Sequence, residues 1–352
     1  MILRPRILFV ADAGPEVGGG HVMRSLTLAR ALVARGADCV FLASPAVAAV
    51  LDVFGPDMPR EPATALDPDH IADAATGVDF DAVVFDHYGL SRPDHEEIAH
   101  GRPTLVIDDL ADRPLAADLV LDAGPARSEA DYAMFAQDAR LLLGPAYAPV
   151  RPEFADLREE ALARRGGSVN RVLVALGLTD VGGITARVVE RLRRRDGHLV
   201  LDVVLGSAAP SLPALRRIAA HDPRLVLHVD TQEMARLTLQ ADAGVGAAGS
   251  TTWERCTLAL PSLVLVLAEN QRPAALALAA REAALVVDAQ ADDFAAAFDR
   301  AAVRLLSDAA CRARLSAACA EVCDGQGAGR AAEALLETLA LRQAGARPAP
   351  QP

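Results

Sequence analysis

The sequence predicts an α/β protein made of two Rossmann-like domains that face a central cleft. Short, uninterrupted apolar runs recur along the chain with helical periodicity between them, as parallel strands buried on both faces require. A proline-rich span at residues 144–153 breaks this alternation, and a second series of the same kind follows it. The length of 352 residues suits two domains of ordinary size.

In the first domain, residues 1–150, strands are expected at 7–11, 39–43, 82–86, 104–107 and 119–121. Helices are expected at 22–35 and 94–100, the second with Asp94 at its N-cap and Glu97 three residues on. A charged helix runs to about Arg165 and opens the second domain, residues 151–341. Strands follow at 171–176, 199–205, 225–229, 243–245, 262–267 and 285–287, and helices from about 292 to 341 close the domain. The Pro/Ala/Gln-rich residues 342–352 read as a disordered tail.

Composition narrows the function. A net charge of −12 argues against nucleic acid, which needs a basic face. The one basic cluster, Arg191 with Arg193–Arg195, ends an expected helix, where cations complement the dipole. The apolar runs are far too short for a membrane span, and the N-terminal residues have no signal-peptide pattern, so a cytoplasmic protein is expected. The five cysteines lack metal-ligand spacing and read as reduced and structural.

In parallel α/β sheets ligands bind beyond the carboxyl ends of the strands. Gly18-Gly19-Gly20-His21 follows the first expected strand and opens a helix, a place for an anionic or polar ligand. The helix dipole disfavours an imidazolium there, so His21 is expected neutral and able to accept a proton. Asp86-His87-Tyr88-Gly89 and Asp108-Asp109 end two further strands. They read as cleft residues, as turn and cap residues, or as ligands for a hard metal, and convergence of three polar strand ends favours the first.

In the second domain, Gly177-Leu178-Thr179-Asp180 and Gly206-Ser207 form turns whose backbone can approach a ligand. The strongest nucleotide signal is Gly246 to Glu254, where small residues and the hydroxyls of Ser250 and Thr251 lead into a helix that carries Glu254. Amides and hydroxyls suit a diphosphate and a carboxylate suits ribose hydroxyls. A plain capping box of Ser250 or Thr251 with Glu254 is the alternative, and both can hold at once. Asn270-Gln271 places an amide pair after the next strand. No GxGxxG dinucleotide spacing and no Walker A motif occur, so no cofactor is expected.

These motifs, taken in order with Arg24, with Tyr147 to Phe154 (Arg151 among them) and with Asp324-Gly325-Gln326-Gly327 to Arg330, resemble the UDP-sugar hydrolases of pseudaminic acid biosynthesis. The resemblance covers about residues 6–335 and implies a GT-B-type fold, related to MurG-like glycosyltransferases. It implies removal of UDP from a 2,4-diacetamido-2,4,6-trideoxyhexose, with water inverting the anomeric carbon. His21 corresponds to the proposed base and Asn270 to a residue near the UDP and sugar. The site implied on the sugar side is Gly20, Arg24, Asp86, Tyr88, Asp109, Arg151, Asn270 and Gln271. On the UDP side it is Gly177, Thr179, Asp180, Gly249, Ser250, Thr251 and Glu254, with no metal. Leu178 departs from the pattern, which more often has glycine there. The only partner expected is the small-molecule UDP-sugar, with the chain a monomer or weak homo-oligomer. A glycosyltransferase of the same fold and a non-catalytic nucleotide-sugar binder are the rival readings.

Overall fold

A computed structural model of the chain describes residues 4–14, 17–65, 67–195 and 197–345. The chain divides into two units: the described residues through Pro149 together with those from Gln326 on, and Val150–Gly325.

The first unit holds a parallel sheet of β1 (Arg6–Ala11), β2 (Asp38–Ala43), β3 (Arg60–Pro62), β4 (Ala82–Asp86), β5 (Thr104–Ile107), β6 (Leu119–Asp122) and β7 (Arg140–Leu143). Its order is β3-β2-β1-β4-β5-β6-β7, so the winding reverses between β1 and β4, where Ala11 is level with Asp86. Leu8, Val10, Val83, Phe85, Val106 and Val120 are buried in its core. Two strands carry no sequence signal: β3 is a three-residue edge strand ending in proline, and β7 reads Arg-Leu-Leu-Leu without a β-branched residue.

The helix expected at 94–100 runs Arg92–Ala99, because Pro93 belongs in its first turn and Ser91 precedes it. Asp94 is therefore the capping partner rather than the cap. Its Oδ2 accepts from the Ser91 backbone N–H (2.7 Å) and hydroxyl (2.9 Å).

The segment that the sequence assigns to the end of the second domain lies elsewhere. The helix Gly327–Gln343 packs on Gly20–Val33 in the first unit, with Arg35 on Glu333 and Arg140 on Glu337, both at 3.1 Å. The Asp324 to Arg330 motif marks this return of the chain. A Cβ at Gly327 would stand 2.3 Å from the Ala148 carbonyl oxygen, and Arg330 Nη1 donates to the Ala146 carbonyl at 2.8 Å. Of the expected tail, Arg342 and Gln343 complete this helix, and residues 346–352 lie outside the described residues.

The second unit holds β8 (Arg171–Ala175), β9 (Val200–Leu205), β10 (Leu225–Val229), β11 (Ala243–Ala247), β12 (Ser262–Val266) and β13 (Leu285–Asp288). All pairs are parallel, in the order β10-β9-β8-β11-β12-β13, and the winding reverses between β8 and β11. Val174, Val203, Leu205, Val245, Leu263 and Leu265 pack with Phe294 and Phe298 in its core. Arginines at the end of the helix Ile184–Arg195 are held by acids, Arg193 by Asp222 (2.8 Å) and Arg191 and Arg195 by Asp299 (3.1 and 2.9 Å). All five cysteines are buried and unbridged. No helix among the described residues is long and apolar enough to cross a membrane.

Candidate functional site

The crevice at the carboxyl ends of strands that flank a reversal is where open α/β sheets take their ligands. In the first unit that position lies between β1 and β4. The chain leaves β1 at Ala11 and turns through Gly18 (φ +78°) and Gly19 into the helix Gly20–Val33, whose N-cap makes no side-chain hydrogen bond. His21, Arg24 and Ser25 are spaced three and four apart on that helix, so one face carries all three toward the end of β4.

Asp86, the last residue of β4, is 0% exposed and anchors this face. Arg24 Nε donates to its Oδ2 (2.7 Å), Arg24 Nη2 to its Oδ1 (2.6 Å) and the Ser25 hydroxyl to Oδ2 (3.2 Å). Arg24 Nη1 also donates to Asp109 Oδ2 at 3.0 Å. Burial works against the Arg24 charge, but Asp86 and Asp109 outweigh it and raise its pKa. Burial likewise opposes the Asp109 charge, and Arg24 and the Tyr88 phenol reverse that to hold its carboxyl below the usual range. Arg24 is thus consumed by two carboxylates. It positions Asp86 and Asp109, and a ligand meets what they frame rather than a free guanidinium.

His21 is 5% exposed. Its Nδ1 lies 3.1 Å from the Asp86 backbone carbonyl and 3.5 Å from the Asp86 carboxylate, so the carbonyl is its partner. A carbonyl only accepts, which puts the proton on Nδ1 and leaves the lone pair on Nε2. Among the described residues nothing hydrogen-bonds Nε2. The Tyr88 ring stands edge-on to the imidazole with centroids 4.5 Å apart, which fixes its plane. Burial lowers the His21 pKa below 6.5, and Arg24 adds to this against the opposing pull of Asp86. Burial and Asp109 raise the Tyr88 pKa, so the phenol stays neutral. His21 is therefore a neutral imidazole with one oriented basic nitrogen, the form a general base needs.

Titration of the His21 ring protons by NMR is expected to give a midpoint below 6.5. A midpoint at or above 6.5 would contradict this electrostatic account. The unfolded chain takes up that proton at about 6.5, the folded chain only at lower pH. His21 therefore leaves stability intact above 6.5 and reduces it as the pH falls below.

The other polar residues at these strand ends are structural. His87 Nδ1 accepts from the Gly89 N–H at 3.0 Å, closing a turn. Asp108 accepts from the Ala111 N–H (2.8 Å), Arg113 Nη1 (2.8 Å) and the Tyr132 hydroxyl (2.9 Å). No group of three or more His, Cys, Asp or Glu that could hold a metal exists among the described residues.

In the second unit the reversal lies between β8 and β11. After β8, Gly177 takes φ +104° with open space where a Cβ would sit, and Thr179 is half-buried. Asp180, expected to bind the nucleotide, turns inward instead. Its Oδ1 accepts from the Thr185 N–H and its Oδ2 from the Ser211 N–H, both at 2.9 Å, so it braces two helix starts. Gly206 is glycine because a Cβ would lie 2.6 Å from the Leu178 carbonyl oxygen.

After β11, Gly249, Ser250 and Thr251 are half-buried, and no hydrogen bond engages the Ser250 hydroxyl among the described residues. The capping box weighed for this helix, Thr251–Thr257, does not form: Ser250 is already helical (φ −55°, ψ −33°) and makes no side-chain cap. Glu254 pairs instead with Arg151, whose Nε donates to its Oε1 at 2.8 Å. Burial opposes the Arg151 charge, and Glu254 more than compensates, raising its pKa. Arg151, expected on the sugar side, thus holds a residue expected on the UDP side. Glu254 Oε2 is buried without a hydrogen-bond partner and can accept from a ligand hydroxyl. Past β12, Asn270 is exposed on a 3₁₀ turn, and Gln271 Oε1 accepts from the Leu267 N–H at 3.1 Å, fixing that turn.

Sequence reasoning missed Arg255. It is 3% exposed and makes no ion pair with a carboxylate among the described residues, although in sequence it directly follows Glu254 and reads as an ordinary charged helix position.

Two parallel sheets, each reversing its winding and gathering polar residues at its strand ends, define a protein of GT-B type. The chain shares this fold with MurG of Acinetobacter baumannii, at a TM-score of 0.67 and 16% identity over 95% of this chain and 100% of that one. Among curated proteins it is similar to UDP-2,4-diacetamido-2,4,6-trideoxy-beta-L-altropyranose hydrolase of Campylobacter jejuni, 23% identical over 78% of this chain and 96% of that protein. It is also 31% identical to the spore coat polysaccharide biosynthesis protein SpsG of Bacillus subtilis over 42% of this chain and 44% of that protein. No protein-family model matches the chain.

Proposed function

We propose that the chain hydrolyses a UDP-linked 2,4-diacetamido-2,4,6-trideoxyhexose to UDP and the free sugar. The reaction inverts the anomeric carbon and serves pseudaminic acid-type nonulosonate biosynthesis in the cytoplasm. One observation carries the reading: a neutral His21 with Nδ1 held on the Asp86 carbonyl and Nε2 unbonded. The similarity along most of the chain to a hydrolase of such a UDP-sugar supports it.

In this reading Nε2 takes a proton from water as the water oxygen bonds to C1, and the C1–O bond to UDP breaks with its electron pair on the diphosphate. UDP is a good leaving group, so one base suffices where ordinary glycosidases need two carboxylates. Gly20, Tyr88 and Asp109 attend the sugar. Gly177, Thr179, Gly249, Ser250, Thr251 and Glu254, with Asn270, attend the nucleotide. Asp180 and Gln271 act only through the loops they brace.

The test is incubation with the UDP-linked sugar and no acceptor, followed by phosphorus NMR for UDP and proton NMR for the anomer first released. Equal amounts of UDP and inverted free sugar are expected. UDP release only after an acceptor alcohol is added would instead establish a glycosyltransferase, the reading that the MurG-like fold favours. Binding without release in either case would leave a nucleotide-sugar binding protein.

A further inference from the structure

Arg255 gains a role if, as proposed above, the β11 loop takes the diphosphate of UDP. Arg255 lies in the helix Thr251–Thr257, just beyond that loop, and is 3% exposed. Its guanidinium lies against the backbone of β11, where a Cβ at Gly246 would stand 2.2 Å from Nη1. Glycine at 246 is what admits it.

Among the described residues, every hydrogen bond it makes is to a neutral acceptor. Nη1 donates to the Thr251 hydroxyl (3.1 Å), and Nη2 to the Ala247 carbonyl (2.8 Å) and the Thr252 hydroxyl (3.0 Å). Nε is buried with no partner. Of the other buried arginines, Arg151 has Glu254, and Arg312 is satisfied by the carbonyls of Leu305, Leu306 and Gly167; Arg255 differs from both in its unpartnered Nε. Here a full positive charge is taken out of water with no carboxylate in hydrogen-bonding contact; Glu254 pulls on it through space, but burial outweighs that pull.

We propose that the missing counter-charge is the diphosphate, and that Arg255 is a positioning residue that acts on it through Thr251. Because Nη1 donates to Thr251 Oγ1, it occupies a lone pair and commits the Thr251 proton to an outside acceptor. Thr252 is excluded from that role, since its hydroxyl donates to the Ala247 carbonyl at 3.1 Å. A phosphate oxygen at Thr251 thus receives an oriented, charge-backed donor, and the low dielectric around Arg255 strengthens its pull on the negative charge that grows as C1–O breaks.

The experiment compares UDP, measured by calorimetry, with uridine, measured by ligand-observed NMR, on four proteins: wild type, Arg255→Met, Arg255→Lys and Thr251→Val. Arg255→Met is expected to weaken UDP at least tenfold and to leave uridine within twofold. Arg255→Lys should recover part of the loss by keeping charge without the fork, and Thr251→Val should lose UDP selectively as well. If Arg255→Met fails to fold, Thr251→Val decides by the same selectivity. Equal losses for UDP and uridine, or no loss for UDP, would overturn the proposal. A wild type that binds no UDP would instead overturn the nucleotide reading on which it rests.

Discussion

Replacing His21 with alanine is expected to lower the rate of UDP release by about 10²–10⁴-fold, the range for loss of a positioned general base. UDP affinity should stay within twofold by calorimetry, because the proposed diphosphate contacts belong to the second unit's strand ends. The loss should appear in kcat and not in KM, as for an interaction realised in the transition state alone. The wild-type pH profile gives an independent check. Burial depresses the His21 pKa, so the basic form is lost only below 6.5. Activity is therefore expected to fall on the acid side at a midpoint below 6.5 and to level off as the pH rises above it. An alanine variant within a few-fold of wild type would remove His21 from the chemistry, whatever UDP affinity it retained.

Most of the fold was legible because parallel strands announce themselves. Each of the six strands of the second sheet falls within two residues of its expected span, since a run such as Ser262–Val266, buried on both faces, reads the same in sequence and in space. The segments that escaped are those for which burial is not a local property. Residues 60–62 form a strand only because β2 offers them an edge. The helix Gly327–Gln343 shows by its periodicity that it buries a face, but periodicity does not say which unit receives it.

The same division holds at the candidate site. Position after a strand end was readable for His21, Asp86, Tyr88 and Asp109, whereas Arg24, inside the helix, came only with the family resemblance. What each side chain does there was not readable. Arg24 is spent on two carboxylates, Asp180 on two backbone amides and Arg151 on Glu254. Polar residues at strand ends are shared between ligand and scaffold, and only hydrogen-bond partners separate the two. The orienting group on His21 is a backbone carbonyl, which no side-chain motif could have revealed.

Arg24→Met is the substitution expected to cost the most stability. Asp86 is 0% exposed, and two of its hydrogen bonds come from Arg24, so the variant leaves a buried carboxylate with only the Ser25 hydroxyl. Breaking one side of such a pair costs about 3–5 kcal/mol, measurable as a lower urea midpoint for the first unit. The double variant Arg24→Met with Asp86→Asn should recover part of that loss, because the stranded charge is then gone, and the cycle should be strongly non-additive. A loss under about 1 kcal/mol, the range of exposed pairs, would mean that Arg24 does not compensate Asp86. The variant also reports on the base. Arg24 lowers the His21 pKa and Asp86 raises it, so removing the cation should move the His21 titration upward. A structural loss alone would not produce that shift. If both changes occur together, Arg24 does two things at once: it fixes the strand end whose carbonyl aims the imidazole, and it offsets the pull of Asp86 that would otherwise favour the imidazolium.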